Sequence, residues 1–439
     1  AGWGAIDGRI VYVSAEDVTV QAGTRGHIAG IKVTRIRELA LQHKRPYIAL
    51  MEAGAGRFQE NNGAFSAGIG ERFEQHFNMS GRVPQVAAIM GACFGGPSFG
   101  AAQSDFVPIV RGTGFLGMSG PPVVKVGIGE IVSAEELAGA EKVSTISGQV
   151  DLVASDDADC LRAIRKWLSY FPSNCDELPP SAPGRAALAD TEAGSRRISE
   201  MVSENHRRGY DMEELLKLLV DEDSMFAYRP AFGPNLITTW ARFQGKTVGV
   251  LANNPMKNAG VLDFKGATKA RKFIELCDAY HVPLVFLTDC PGFLVGTEVE
   301  KTAMVTLAAR WLNALLAAKV PKVTIVLRKA VGLAYLAMGG RAMHPDAIFA
   351  WPTARFDVLG TAAGVELAHG KEIRKAADPE HRRAELMKIA EAQSHAFLAA
   401  EMALIDDVIS PAETRGAIIA ALGRAEDSRR PGFKHRIDP

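Results

Sequence analysis

Apolar residues gather in short unbroken runs along this chain rather than alternating with polar ones. Residues 83–90 read VPQVAAIM, residues 282–287 read VPLVFL and residues 320–327 read VPKVTIVL. Runs of this length, opened by proline and closed near glycine, predict strands covered on both faces, as in a parallel sheet. Between them, residues 31–43 and 267–281 space their apolar positions as helices do. The longest apolar zone, residues 305–327, carries Arg310, Lys319 and Lys322 and is divided by Pro321. It predicts a buried helix followed by a strand, not a membrane span.

The pattern repeats. Gly8 and Gly245, Pro46 and Pro283, Pro84 and Pro321, and Gly95 and Gly332 are each 237 positions apart. Each half reads as a strand pair, a helix, a buried strand ending in a glycine corner, and a second strand that runs into a glycine turn and a helix. Alternating strands and helices predict an α/β architecture of two tandem units related by internal duplication, with the site at the carboxyl ends of the strands. The halves are expected at residues 1–172 and 201–439. Residues 173–200, rich in Pro, Ser, Ala and charge, are expected to link them.

Four turns carry the candidate chemistry: residues 52–57 (EAGAGR) and 91–98 (GACFGGPS) in the first half, 289–293 (DCPGF) and 328–335 (RKAVGLAY) in the second. Small residues let a ligand approach the backbone closely. A turn leading into a helix presents free N–H groups with a favourable dipole. Two such turns side by side aim two donors at one oxygen, which is an oxyanion hole. Pro97 fits, because a proline early in a helix lacks only a dispensable donor and leaves Gly96 to serve. No GxSxG, HExxH or GxxxxGK[ST] motif is present, and His344 reads as structural or exposed. Their absence points to chemistry that needs no protein base.

Composition adds boundaries. The 439-residue chain is 47% hydrophobic and 23% charged with zero formal net charge, which suits a globular protein whose partner is not nucleic acid. Five scattered cysteines without a CxxC pair read as reduced thiols of a cytoplasmic protein and exclude a zinc ribbon. No metal site is expected. The N-terminus shows no signal peptide.

Whole motifs then resemble one family, the carboxyltransferase (β) subunits of biotin-dependent acyl-CoA carboxylases. VPQVAAIMGACFGG, TDCPGFLVGTEVE, VPKVTIVLRKAVGLAY, FAWPTA (349–354) and YDMEELLKLLVDEDSMF (210–226) carry the resemblance, which spans nearly the whole chain. It implies two crotonase-like halves. It also implies carboxyl transfer from carboxybiotin to an acyl-CoA through a thioester enolate, with biotin moving the proton and two oxyanions to stabilise. By this resemblance the first half holds the CoA thioester with donors near Ala55, Gly56 and Gly96. The second half holds the biotin ureido oxygen with donors near Gly292, Phe293, Leu333 and Ala334. Gly54, Gly95, Tyr335 and Leu336 are the substrate-binding candidates. The resemblance further implies separate biotin carboxylase and biotin carrier chains, and a homo-hexamer whose site lies between the first half of one subunit and the second half of another. Lys257, in a Pro-Met-Lys-Asn stretch, looks like a biotin attachment site but precedes a helix and is not expected to carry the cofactor.

Three departures mark this chain. The family begins with several tens of residues that have no match here, which implies a reduced CoA-binding surface or a shortened branch. Leu333 stands where the family often has glycine. Leu336 stands where small-acyl members often have Asp, which suggests a pocket for longer or branched chains. A decarboxylase or transcarboxylase running the same half-reaction, and a non-catalytic paralogue, are the alternatives. A crotonase-type hydratase ranks lower, because Phe99 follows the Gly96 turn where such an enzyme wants a carboxylate.

Overall fold

The computed structural model describes residues 1–68, 70 and 73–439. The first half contributes β1 (Gly2–Ile6), β2 (Arg9–Ala15), β3 (Tyr47–Met51), β4 (Gln85–Ile89), β5 (Ala92–Phe94), β6 (Pro108–Val110), β7 (Phe115–Gly117) and β8 (Leu152–Ala154). The second contributes β9 (Phe226–Ala227), β10 (Leu236–Phe243), β11 (Lys246–Asn253), β12 (Leu284–Cys290), β13 (Lys322–Val331), β14 (Ala347–Ala350), β15 (Arg355–Asp357) and β16 (Asp407–Val408). One sheet runs β1-β2-β3-β4-β6-β8. The other runs β16-β14-β13-β12-β11-β10-β9, with β15 on the far end of β13. In each, the opening hairpin is antiparallel and the strands that follow are parallel.

The elements recur at the spacing read from the sequence. β2 and β11, β3 and β12, and β4 and β13 begin 237 positions apart (9 and 246, 47 and 284, 85 and 322). The helices His27–Gln42 and Phe264–Ala279 are both 16 residues long and start at the same offset. Even the left-handed residues match, with Asp7 opposite Gln244, Ala22 opposite Ala259, Lys44 opposite His281 and Gly95 opposite Gly332. Both helices begin a few residues before their apolar spacing predicts. Asp263 explains the second start, because its carboxylate caps the Gly266 amide at 2.8 Å.

Helix Phe264–Ala279 is buried on nearly all sides between the two sheets. Around it one core joins the halves. Phe106 stacks on Trp167 at 5.1 Å, Phe171 meets Trp240 edge-on at 5.2 Å, and Trp240 leans on Phe273 at 4.9 Å. Each such pair contributes about 0.5–1.5 kcal/mol beyond its buried area. Charged groups in this seam find partners: Arg229 pairs with Asp151 at 2.7 Å, Lys272 donates to the Ser104 carbonyl at 3.1 Å, and the Tyr280 hydroxyl donates to Asp105 at 2.8 Å. Residues 173–200 are not slack. Ala187, Ala189 and Ile198 are buried in the second half's core, and helix Glu192–Met201 opens within the segment. The apolar zone forms helix Met304–Ala317 followed by β13, and no helix among the described residues is long and apolar enough to cross a membrane. All five cysteines are buried and unpaired.

Two buried ionic clusters fix what lies at the strand ends. Arg328 on β13 grips Asp289 on β12 through Nε and Nη2 at 2.9 and 2.8 Å, and both side chains are fully buried. Its Nη1 donates to the Arg208 carbonyl at 2.8 Å, tying down the chain ahead of β9. Asp278, at the end of helix Phe264–Ala279, accepts from the Lys319 and Val320 amides at 2.7 and 3.0 Å. It also holds Lys434 and His435 of the C-terminal tail, each at 3.0 Å. Burial alone would raise the Asp278 carboxyl, but His435, Lys434 and the Lys319 amide outweigh it and hold it at about 2. His435 is pushed up in turn: burial opposes this, and the bond to Asp278 overcomes it.

Arg328→Met leaves the buried Asp289 with only Lys329, at 3.4 Å, as its cation and should cost up to about 3 kcal/mol, read as a lower urea midpoint. Asp278, depressed from its ordinary 3.8, contributes stability that is complete above that value and lost as pH falls towards about 2. The contribution is about 2 kcal/mol. The stability gap between wild type and Asp278→Asn should therefore close on acidification through this window. His435, raised above its ordinary 6.5, stabilises fully below 6.5 and less as pH climbs past its elevated value.

Candidate active site

Beyond β3 the chain folds back against the turn that precedes helix His27–Gln42. The Arg25 amide donates to the Ala55 carbonyl at 3.0 Å, and the Arg57 amide donates to the Arg25 carbonyl at 2.9 Å. This is a one-residue parallel bridge between Arg25 and Gly56. In such a bridge the flanking groups on Gly56's strand make the bonds, so Gly56's own N–H faces the other way. It has no acceptor among the described residues. Ala55 adopts φ 136°, a left-handed conformation that few non-glycine residues accept.

Beyond β4 a second turn closes on the first. Gly95 takes φ 66° and its amide donates to the Met118 carbonyl at 3.0 Å. Helix Gly96–Ala102 starts there, and the Ser98 amide and hydroxyl both donate to the Gly95 carbonyl, at 3.0 and 2.7 Å. A side chain on Gly95 would lie 3.6 Å from the Ala55 Cβ, so the two turns touch. The Gly96 N–H, first of the helix, has no acceptor among the described residues. Gly56 and Gly96 line one cavity of about 600 Å³, built wholly from first-half residues. The Gly54 amide donates to the Ala22 carbonyl at 3.3 Å, so Gly54, like Gly95, shapes a turn with its N–H engaged.

The second half repeats this construction. Leu262 bridges Phe293 as Arg25 bridges Gly56, with the Leu262 amide on the Gly292 carbonyl at 3.0 Å and the Leu294 amide on the Leu262 carbonyl at 2.8 Å. Gly292 takes φ 141°, close to Ala55. Cys290 on β12 lies opposite Ala330 on β13, which brings the Gly292 corner and the Gly332 turn together. Gly332 has φ 58°, and any side chain there would come within 2.8 Å of the Val358 carbonyl oxygen. The amides of Phe293 and Leu333 are left without acceptors among the described residues. Leu333, the counterpart of Gly96, sends its side chain outward and is 67% exposed, so it needs no room inside. Ala334 takes the place of Pro97 and is buried. Tyr335 packs its ring against Phe356 at 5.5 Å, and burial pushes its phenol up to about 12. Leu336 packs on the joint core.

The four corners open at surfaces rimmed with apolar side chains. Phe58, Phe99 and Met118 stand exposed around the first pair, and Val295, Leu333 and Val358 around the second. His344 is exposed in a left-handed turn, and Lys257 ends a turn before helix Phe264–Ala279.

Two cavity residues escaped the sequence reading. Arg37 lies on helix His27–Gln42 among Val33, Ile36 and Ala40, a cation within an apolar stripe, and that was the readable signal. His76 sits beneath the helix that starts at Gly96, its Nδ1 2.9 Å from Gln85 Oε1 and its Nε2 without a partner. Burial, then the nearby Arg37, push the His76 imidazole down to about 3.

Known proteins share this arrangement. The Carboxyl transferase domain pattern matches residues 1–437. The α subunit of methylmalonyl-CoA decarboxylase from Veillonella parvula is 36% identical over 429 residues, 98% of this chain and 82% of that protein. The propionyl-CoA carboxylase β chain of Roseobacter denitrificans is 36% identical over 436 residues, 99% of this chain and 84% of that one. A crystal structure of the transcarboxylase 12S hexamer with methylmalonyl-CoA bound superposes with a TM-score of 0.92 at 36% identity, covering 99% of this chain and 83% of its own. With a two-part crotonase-like fold and a match running from end to end, the chain belongs to the carboxyl transferase domain family.

Proposed function

We propose that this chain transfers a carboxyl group between biotin and the α-carbon of an acyl-CoA. The observation that carries the reading is the set of four unengaged amides, Gly56 with Gly96 and Phe293 with Leu333, held in the same backbone geometry in each half. The Gly56 and Gly96 amides, beside Ala55, hold the thioester oxygen and strengthen their bonds as it becomes an enolate oxygen. The Phe293 and Leu333 amides, flanked by Gly292 and Ala334, are the residues that hold the ureido oxygen of biotin. The fit rests on their open outlook, since a Cβ on Gly292 would meet nothing within 4 Å. Biotin, when bound, supplies the carboxyl group and accepts the α-proton. The protein therefore contributes orientation and fixed dipoles rather than a base. Among the described residues, no carboxylate in the cavity is free for a hydratase's acid–base work: Glu60 is engaged by Arg57 at 2.6 Å and by the His27 amide at 2.5 Å.

Biotin arrives on a separate carrier, and a biotin carboxylase chain reloads it. The apolar rims of the two corner pairs fit a homo-hexamer in which one subunit's second half covers another's first half, and the transcarboxylase 12S relative is a hexamer. Five buried, unpaired thiols fit a cytoplasmic setting. Relatives named as decarboxylase and as transcarboxylase favour a second reading, the same half-reaction run in reverse.

Mixed with carboxylated biotin carrier and a panel of acyl-CoAs, the chain should pass labelled carboxyl to at least one of them. Failure with every thioester, carrier intact, would leave only the non-catalytic paralogue. Gly96→Val should slow transfer about 10²–10³-fold. The assembly should survive by light scattering, because a Cβ at Gly96 meets nothing within 4 Å inside the fold.

A further inference from the structure

Among the described residues five arginines are buried: Arg25, Arg37, Arg229, Arg328 and Arg415. Four have a carboxylate. Arg25 pairs with Glu16, Arg229 with Asp151 at 2.7 Å, Arg328 with Asp289 at 2.8 Å and Arg415 with Asp221 at 2.7 Å. Arg37 has none. It is 2% exposed, its guanidinium lies 5.2 Å over the Tyr47 ring, its Nε has no partner, and it lines the cavity that opens at Gly56 and Gly96. A buried cation without a counter-charge is costly, and a plain alkyl chain laid against it would raise that cost.

His76 lines the same cavity with a second unmet group. Gln85 Nε2 donates to the His76 carbonyl at 3.2 Å, which turns Gln85 Oε1 towards Nδ1. Nδ1 therefore carries the proton and Nε2 presents a lone pair into the cavity. A side chain at Gly100 would come within 2.8 Å of that nitrogen, so glycine there gives the imidazole its space. Gly100 is four residues along the helix from Gly96, about 6 Å at 1.5 Å per residue. The polar end of the cavity thus lies one helical turn beyond the thioester donors.

We propose that this cavity selects an acyl group bearing a carboxylate a few bonds beyond the thioester carbonyl, with Arg37 as its counter-ion and His76 Nε2 accepting from a water or hydroxyl beside it. The proposal rests on the acyl-CoA reading above and names its substrate class. Neither nearby carboxylate competes, because Glu16 is taken by Arg25 and Glu60 by Arg57. A neutral His76 leaves one cation for one anion. The phosphates of CoA lie at the other end of the pantetheine arm from the thioester, whereas Arg37 shares one cavity with the Gly56 and Gly96 donors. Arg37 argues for a polarity opposite to the apolar pocket expected from Leu336, which packs on the core.

The test is equilibrium binding to the full chain by titration calorimetry, using glutaryl-CoA, 5-hydroxypentanoyl-CoA and pentanoyl-CoA. Glutaryl-CoA should bind about tenfold or more tightly than pentanoyl-CoA, with the hydroxy ester between them. Arg37→Met should bring the glutaryl to pentanoyl ratio close to one. Equal or tighter binding of pentanoyl-CoA, a hydroxy ester that outbinds glutaryl-CoA, or a ratio unchanged in Arg37→Met would overturn the proposal. The wild-type ratio decides the matter even if the variant does not fold. Absence of binding by all three esters would instead remove the acyl-CoA reading, and this proposal with it.

Discussion

The site depends on one property of a parallel bridge: of the two residues paired at its centre, one makes both bonds and the other makes none. Arg25 and Leu262 each tie down the neighbours of a single residue, and Gly56 and Phe293 are left with N–H groups turned outward. The second donor of each pair is the amide of Gly96 or Leu333, at the start of a helix where no preceding turn can accept. Backbone amides are almost always satisfied in folded proteins, so two unsatisfied ones meeting at each of two places is a strong constraint on the chain. Left-handed residues at Ala55, Gly95, Gly292 and Gly332 are how the chain meets it.

The two halves reach the same geometry with different fastenings. In the second half the corner hangs from a buried ion pair, Asp289 with Arg328. In the first, the matching positions are Glu52 and Gly91, and a side chain on Gly91 would run into Glu52 at 3.1 Å. Glycine supplies no guanidinium there. Instead the Glu52 amide donates to Glu16, which also holds Arg25, so the bridge itself is braced from behind. The repeat preserves main-chain direction while the side chains that secure it have diverged.

Strands, corners and the repeat were legible because proline and glycine punctuate them and because buried parallel strands read as unbroken apolar runs. The helix starts were less so. Asp263 caps its helix ahead of the first apolar position, and spacing alone does not register a cap. The free amides could be guessed from the glycines but not shown, since they depend on a contact between Arg25 and Gly56 that no local pattern encodes. Residues 173–200 read as a linker by composition, yet Ile198 is wholly buried, because small and apolar residues scattered among prolines still find a core. Arg37 was visible as an anomaly in an apolar stripe. Its meaning appeared only when the other buried arginines proved to be paired.

Helix Phe264–Ala279 backs Trp240 through Phe273, and Trp240 in turn meets Trp167 and Phe171 of the first half. During synthesis the first sheet leaves the ribosome well before that helix exists. Trp167 covers Phe106 from within the first half, but Trp167 and Phe171 stay bare on their other side until Trp240 has been translated. A nascent chain in that condition is a natural client for chaperones that shield apolar surface. The architecture that places two reactive corners on one polypeptide thus makes its early life depend on the second half arriving.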